Sequence, residues 1–500
     1  MKVLLLSMPD ITPIIIHEAA LHMPTHGIAC VAGNIDDHHD VYVIDLVRKR
    51  RRLVKYLTKI MKNIVPDLVG LSAMTWQYDT CVKIIRLIKH LRPEVKIALG
   101  GYHPTLLHDE IASSEDEFLI DFVVRGEGEE TFRQLVNALE TRGELGNIPS
   151  LSYKKDGTFV HNDRGPSLDL ASLKLPLRGR GRLTGGYHFM ASKIEVIETS
   201  RGCTRMCNFC SIRHMYGRSI RYYPLERVIA DLDDIYYNKK TRLVFISDDN
   251  MVLNSRRVMD LCDAIIARGY KKLKLIVQAD CRSLARNEAM VEKMARAGFV
   301  SIFIGIENGS KINLELMDKP DIVEDSRRAV DLCRKYGIMS IAGMIFGLPD
   351  DDGRSIKENF EFYNSIGADT SYMQIVTPYP KTGIRDALMA QGMVTNGHDF
   401  SKYNGLWANV RTKHLTCDEL QYWFWYYRQT VLGWWNPSSD LRKGRWLWIS
   451  LWNYCFKPVA RFFVSRSLKK NGWDGRFKNE IRRLERLNVF TDLESSCKAL

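Results

Sequence analysis

The chain has 500 residues, and at about 100 to 200 residues per domain it is expected to hold about three units. Hydrophobic residues at 45% and charged residues at 26% give a soluble globular composition, which excludes a disordered, collagenous or polytopic membrane chain. The net charge of +13 is not accompanied by a recognisable nucleic-acid-binding module, so no nucleic-acid partner is expected.

The amino terminus, MKVLLLSMPD, has one Lys and a short apolar run, too little for a signal peptide. The eleven Cys lack the spacing of a disulfide scaffold and read as reduced thiols, so a cytoplasmic location is expected. Residues 1–140 then alternate apolar runs with helical patterns: Val3 to Leu6, Val41 to Ile44, Leu68 to Ser72, Lys96 to Leu99 and Phe122 to Val124. This predicts an α/β domain, doubly wound around a parallel sheet. Several runs end in small or turn residues: Ser7-Met8-Pro9, Ser72-Ala73, Gly100-Gly101 and Arg125-Gly126-Glu127-Gly128. In an open parallel sheet such ends form the ligand crevice. Gly100 and Gly101 carry no Cβ and let a cofactor approach the backbone, although a plain tight turn explains them equally.

Residues 141–190, rich in Gly and polar residues, read as a linker packed between two domains. A second α/β series begins at Ile194 and continues through Arg242 to Ile246, Leu273 to Gln278, Ser301 to Ile306, Ser340 to Ile345 and Tyr372 to Val376. Six strands with helical spacers over residues 191–390 predict a partial (β/α)6 barrel. Residues 391–500 read as a helical carboxyl-terminal region, with aromatic helices expected over Asp418 to Gly433 and Leu441 to Ser467. Trp446 to Val464 approaches membrane length, but Lys457, Pro458 and Arg461 interrupt it.

The strongest chemical signal is Cys203-x3-Cys207-x2-Cys210, directly after the first barrel strand. Three thiolates on one loop can hold three corners of a four-iron cluster and leave the fourth iron open to an external ligand. Zinc is the competing metal, since His214 follows Cys210 by four residues and would complete a closed Cys3His site.

This spacing resembles the radical S-adenosylmethionine (SAM) superfamily, whose motif is Cys-x3-Cys-x2-Cys. The resemblance implies a 4Fe-4S cluster on Cys203, Cys207 and Cys210, with SAM chelated to the open iron. It also implies SAM contacts from Phe209, from Asp248, Asp249 and Asn250 after the second strand, and from Gln278, Glu307 and Ile345 further along the barrel. A reduced cluster would then deliver one electron to SAM, giving a 5'-deoxyadenosyl radical that takes hydrogen from an unactivated carbon. An electron donor such as flavodoxin or ferredoxin is implied.

The amino-terminal domain, with Gly70-Leu-Ser72, Gly100-Gly101 and Val124-Arg-Gly-Glu-Gly128, looks like the cobalamin-binding domain of the cobalamin-dependent radical SAM group. The implied cobalamin contacts are Ser72, Trp76, Gly100, Gly101, Gly126 and Glu127, although Trp76 reads equally as a helix-packing aromatic. The Asp-x-His-x-x-Gly motif that supplies a histidine to cobalt in many cobalamin proteins is absent. The nearest text is Asp36-Asp37-His38-His39-Asp40, and many members of the group lack the motif.

Residues 401–500 hold 18 Lys or Arg against 8 Asp or Glu, and nine of the ten Trp. Such a tail suits an anionic bilayer or a bulky apolar substrate, or else a solvated basic face over an aromatic core. A peripheral contact with the inner face of the membrane is therefore a further expectation. The domain order is similar to the branch with the anaerobic magnesium-protoporphyrin ester cyclase, the bacteriochlorophyll methylases and the hopanoid methylases. It implies a cobalamin-dependent radical SAM methyltransferase acting on a hydrophobic polycyclic or isoprenoid lipid of the hopanoid type. A cyclase, carbon-carbon bond-forming or oxidising enzyme on a tetrapyrrole or lipid is the alternative. A cobalamin or metal-binding sensor with a retired barrel is the reading from another class.

Overall fold

The computed structural model describes residues 1–11, 21–189, 192–431 and 472–499. Two parallel sheets organise it. The first contains β1 (Lys2–Ser7), β2 (Asp40–Asp45), β3 (Leu68–Ser72), β4 (Lys96–Gly100) and β5 (Phe122–Val124), in the order β2-β1-β3-β4-β5. In β1 the alternating side chains divide between two cores. Leu4 and Leu6 pack with Ile44, Leu57 and Ile84 on one face, and Val3 and Leu5 with Ile28, Phe132 and Leu135 on the other. Burial on both faces is why these strands are nearly continuous apolar runs. The order reverses between β1 and β3, so the ligand crevice of this doubly wound sheet opens beyond their carboxyl ends.

The expected linker is only partly irregular. β6 (Leu151–Lys155) and β7 (Thr158–His161) form a hairpin that extends the first sheet antiparallel to β5. Its turn is Asp156-Gly157, at φ 52° and 82°, a local signal that the irregular composition masked. Residues beyond 170 strap the domains together. Leu183 N donates to Val43 O at 2.9 Å, while the buried Arg178 pairs with Asp231 and donates to Val196 O at 2.7 Å.

The second sheet holds six parallel strands in sequence order: β8 (Ser192–Ile197), β9 (Leu243–Ile246), β10 (Lys274–Asp280), β11 (Phe299–Glu307), β12 (Met339–Phe346) and β13 (Thr370–Ile375). This is the expected partial barrel, and two short antiparallel strands, Leu21–His22 and His188–Phe189, extend its first edge.

The carboxyl-terminal region divides between the two domains. Helix Cys417–Thr430 starts at a Thr416/Glu419 capping box and buries Leu420 and Phe424 against the barrel, with Phe424 5.3 Å from Phe346. Trp425 and Tyr426 meet Trp473. Within the described residues this part of the aromatic block packs, and Trp434, Trp435, Trp446, Trp448 and Trp452 lie outside the described residues. The expected helix over Leu441 to Ser467 lies outside the described residues. The chain then returns to the first domain, where Phe490 and Leu493 of the terminal segment complete its core. Among the described residues no helix is long and apolar enough to cross a membrane.

Candidate active site where the two sheets meet

Cys203, Cys207 and Cys210 lie on the loop between the short strand Ser200–Arg201 and helix Ile212–Tyr216, at the carboxyl end of β8. Gly202 before them has φ 88°, and a Cβ there would stand 2.2 Å from the Ser219 carbonyl oxygen, so the approach to Cys203 requires glycine. Arg205 N donates to Cys203 Sγ at 3.4 Å, and Asn250 Nδ2 approaches the same sulfur at 3.9 Å. Burial pushes the Cys207 thiol up to about 11 and that of Cys210 up to about 12, so each keeps its proton at neutral pH until a metal replaces it.

Zinc would need its sulfur ligands within about 4 Å of one another, given Zn–S bonds of about 2.3 Å. Among the described residues, the groups whose ligating atoms gather within 4.8 Å are His38, His39 and Glu140, and His108, Asp109 and His161; the cysteine triad is not one of them. His214 Nε2 faces Arg213 Nε at 3.3 Å. A multi-iron cluster, which gives each thiolate its own iron, fits this wider triad better than a closed Cys3His site.

The predicted SAM contacts converge on the carboxyl ends of successive strands. Asp249 is half-buried, accepts from Gly202 N at 2.9 Å, and is pushed up to about 6 by burial. Asn250 Oδ1 accepts from Asp280 N at 3.2 Å, and Gln278 is half-buried on β10. Glu307 ends β11 at φ 63° and pairs with Lys319 at 2.6 Å; the Lys319 ammonium lies 6.0 Å from the Phe209 ring. Two residues face inward instead. Asp248 is fully buried and accepts from Thr199 N and Ser200 Oγ, both at 2.6 Å, so it positions the start of the cysteine loop. The Ile345 side chain belongs to the barrel core. Lys319, Asp280 and Gly202 were not singled out from the sequence, because only the strand ends bring them to the loop.

In the first domain, Asp10 follows β1 at the switch point, with Ser72 at the end of β3 and Trp76 half-buried just beyond. Asp10 Oδ2 is buried without a hydrogen-bond partner, as is Nδ1 of His103, two residues past Gly101. Unpartnered polar atoms at a crevice suit a ligand rich in polar groups, and so fit a corrinoid with its amide side chains. Asp36 to Asp40 sit at the amino end of β2, the opposite end from the crevice, where His39 meets Asn137 at 2.8 Å. They are not placed to reach cobalt.

The glycine pair divides by role. Gly101 has φ 100°, and a Cβ there would lie 2.7 Å from Ala73 O, so this glycine serves the crossing of two strand ends. A Cβ on Gly100 would meet nothing closer than Val124 O at 3.5 Å. Gly101→Ala is expected to lower stability by about 2 kcal/mol in denaturant unfolding. Gly100→Ala should keep stability within about 1 kcal/mol, so that any loss of corrinoid in that variant reports a true contact.

Asp10 carries a pH signature. Burial raises its pKa from the ordinary 3.8 to about 7, while Thr80, donating at 2.8 Å, acts against the shift. An acid whose folded pKa is raised holds its proton more tightly when folded, so its contribution weakens as pH rises from about 4 to 7. Asp10→Asn should gain roughly 4 kcal/mol relative to the parent at pH 8 and well under about 1 kcal/mol at pH 4. Equal differences at both pH values would contradict this assignment.

Gly126 N donates to Thr105 Oγ1 at 2.9 Å. Glu127, expected at the cofactor, turns instead to the barrel: it meets Arg201 at 3.0 Å and Arg221 at 2.9 Å and accepts from Leu168 N. Arg201 also pairs with Glu129 at 2.5 Å and Glu198 at 2.8 Å. Two residues before Cys203, the chain is thus clamped to the start of helix Gly128–Thr141. Helix Tyr102–Leu106, which follows the glycine pair, packs on Ile212–Tyr216. Burial raises the Tyr102 phenol, and Tyr216, Asp249 and Cys210 are near enough to add to the effect. The carboxyl end of the first sheet is therefore packed against the cysteine loop.

Residues 12–136 match the B12 binding domain and residues 197–363 the radical SAM superfamily. The chain is a radical SAM protein with a B12-binding domain. It is 29% identical to an uncharacterized methyltransferase of Pyrococcus horikoshii, over 79% of this chain and 85% of that one. It is 24% identical to the anaerobic magnesium-protoporphyrin IX monomethyl ester cyclase of Cereibacter sphaeroides, over 78% of this chain and 63% of that one. Hopanoid C-3 methylase of Methylococcus capsulatus is 26% identical, over 74% of this chain and 70% of that one. The fold resembles that of the radical SAM methyltransferase TsrM of Kitasatospora setae, solved with cobalamin and a 4Fe-4S cluster, at a TM-score of 0.65 and 17% identity over 79% of this chain and 76% of that one.

The Arg201 clamp and the Tyr102 contact are thus two of the places where the B12-binding and radical SAM domains meet. Neither was anticipated, since both partners of each contact lie in separate folding units.

Proposed function

We propose that this radical SAM enzyme is a cobalamin-dependent methyltransferase that methylates an unactivated carbon of a hydrophobic polycyclic or isoprenoid lipid. The observation that carries the reading is the contact of the B12-domain strand ends with the cysteine loop, through Tyr102, Tyr216 and Arg201. Two groups that act on one substrate carbon must converge there, and this junction is where they would do so. Cys203, Cys207 and Cys210 would hold the cluster, and Asp249, Asn250, Gln278, Glu307 and Phe209 would hold SAM around it. Ser72, Trp76 and Gly100 would line the corrin. When bound, the cluster supplies one electron for cleavage of SAM, and the corrinoid supplies a transferable methyl group.

The apolar substrate class has support from the similarity to hopanoid C-3 methylase, and the domain boundary is itself apolar. Leu406, Leu484 and Leu487 pack there with Ile11 of the first domain and with Tyr372 and Trp407. Phe303 meets Tyr372 edge-on at 5.4 Å on neighbouring barrel strands. The identity to both a cyclase and a hopanoid methylase keeps ring formation as the second reading. The deciding experiment is anaerobic incubation of the reconstituted enzyme with SAM, a reductant such as reduced flavodoxin, and lipid extract. A product heavier by one CH2, with 5'-deoxyadenosine formed, is expected. A product lighter by two hydrogens would move the assignment to cyclisation, and SAM cleavage that needs no corrinoid for turnover would remove the methyl-transfer reading.

A further inference from the structure

We infer that a basic groove between the 46–64 segment and the carboxyl-terminal helices is a docking surface for the phosphate headgroups of an anionic bilayer. The groove is open, about 1400 Å³ in volume, and far from neutral: seven Lys or Arg side chains from residues 48–59 and three from residues 482–486 line it, against one acid, Asp492. That single acid, whose carboxylate accepts from Val54 N at 3.2 Å, offsets only one of these cations.

The cations divide by task. Arg50 joins the two walls, bonding to Leu487 O and lying 5.7 Å from the Phe490 ring. Lys49 lies over the Tyr56 ring at 4.9 Å. By contrast Arg51, Arg52, Lys55, Lys59, Arg482 and Arg486 are exposed and form no ion pair or hydrogen bond among the described residues. Six unpaired cations facing one space repel one another, an arrangement relieved when anions enter it.

The floor narrows the kind of anion. Val47, Leu487, Val489 and Phe490 line the same groove, and Val489 is 43% exposed. A cationic rim over an apolar floor matches the boundary between headgroup and acyl chain, with Lys and Arg at phosphates and apolar side chains just below them. A soluble polyanion would leave the exposed Val489 in water, while Leu487 and Phe490 beneath it are already packed in the protein. The two walls come from opposite ends of the chain, and the helix Leu53–Ile64 buries Leu53, Leu57 and Ile60 while turning Lys55 and Lys59 outward. This surface is distinct from the Trp-rich helix Cys417–Thr430, which buries Phe424 and Trp425. It deepens the lipid-substrate reading by naming the partner surface, but rests on its own charges.

The test is co-sedimentation of the reconstituted holoenzyme with phosphatidylcholine vesicles, with and without about 30% phosphatidylglycerol. Binding is expected only to the anionic vesicles, and should fall as NaCl rises from about 0.1 to 0.5 M. The variant carrying K55E, K59E, R482E and R486E should bind about tenfold or more weakly. Its iron content and 5'-deoxyadenosine formation in detergent should be unchanged. If that variant unfolds, the milder set K55Q, K59Q, R482Q and R486Q should show an intermediate loss. Equal binding to neutral vesicles, unchanged binding by the folded variants, or retention by duplex DNA with indifference to vesicles would each overturn the inference. Vesicle binding without any lipid product would leave the docking surface standing and remove only the lipid as substrate.

Discussion

Replacing Cys203, Cys207 or Cys210 by Ala is expected to bring SAM cleavage to background, a loss of several orders of magnitude in 5'-deoxyadenosine formed under reduction. Each thiolate is one of three on a single loop, and among the described residues no other cysteine is placed to substitute: Cys281 is buried at the start of the helix after β10 and Cys262 lies in the barrel core. Iron per chain should fall as well, while thermal unfolding of the metal-free protein changes little, because all three side chains are only half-buried. Full turnover in any one of these variants would sink the cluster assignment. A single zinc per chain, abolished together with iron-independent activity, would favour the closed Cys3His site.

Arg201→Met is the second large effect, and it acts through charge. The guanidinium is buried, with a side-chain exposure of 5%, and it faces Glu127, Glu129 and Glu198, themselves at 7%, 4% and 12%. Removing it leaves three carboxylates close together without their shared partner. Breaking a buried pair in this way typically costs about 3 to 5 kcal/mol, so a clear drop in denaturation midpoint is expected at pH 7.5. Burial already pushes Glu198 up to about 7, against the pull of Arg201. Without the guanidinium the carboxylates take up protons more readily, so the deficit should shrink toward pH 5. Arg201→Lys should be intermediate, since one ammonium cannot fork among three acids. Methyl transfer should suffer more than SAM cleavage, because Glu127 and Glu129 belong to the B12-binding domain while the cysteine loop belongs to the barrel. Midpoints within about 1 °C of the parent would show that the clamp carries no such energy.

The clamp also accounts for Glu127. As a residue next to glycines after a strand, it reads as a cofactor contact, yet Arg201 and Arg221 hold it. The same correction applies to Asp248, which follows a barrel strand like any ligand-binding acid but supports Thr199 and Ser200 instead. Strand-end position is visible in a sequence; the direction in which a side chain leaves that position depends on which neighbours compete for it.

The sequence by itself determined the local features: both strand series, the six-stranded partial barrel, the Cys-x3-Cys-x2-Cys loop and its place after β8. These are written in apolar periodicity, turn residues and fixed spacing, which act over a few residues. Tertiary structure alone decided what joins distant segments. Phe490 and Leu493 return the chain end to the first core, and the aromatic block at 422–427 packs on the barrel. Arg201 reaches Glu127 and Glu129 across 74 and 72 residues. The run at 48–52 meets Arg482 and Arg486 in one basic groove. Such pairings depend on which surfaces the packed domains bring within a few ångströms, and no local pattern records a partner that far along the chain.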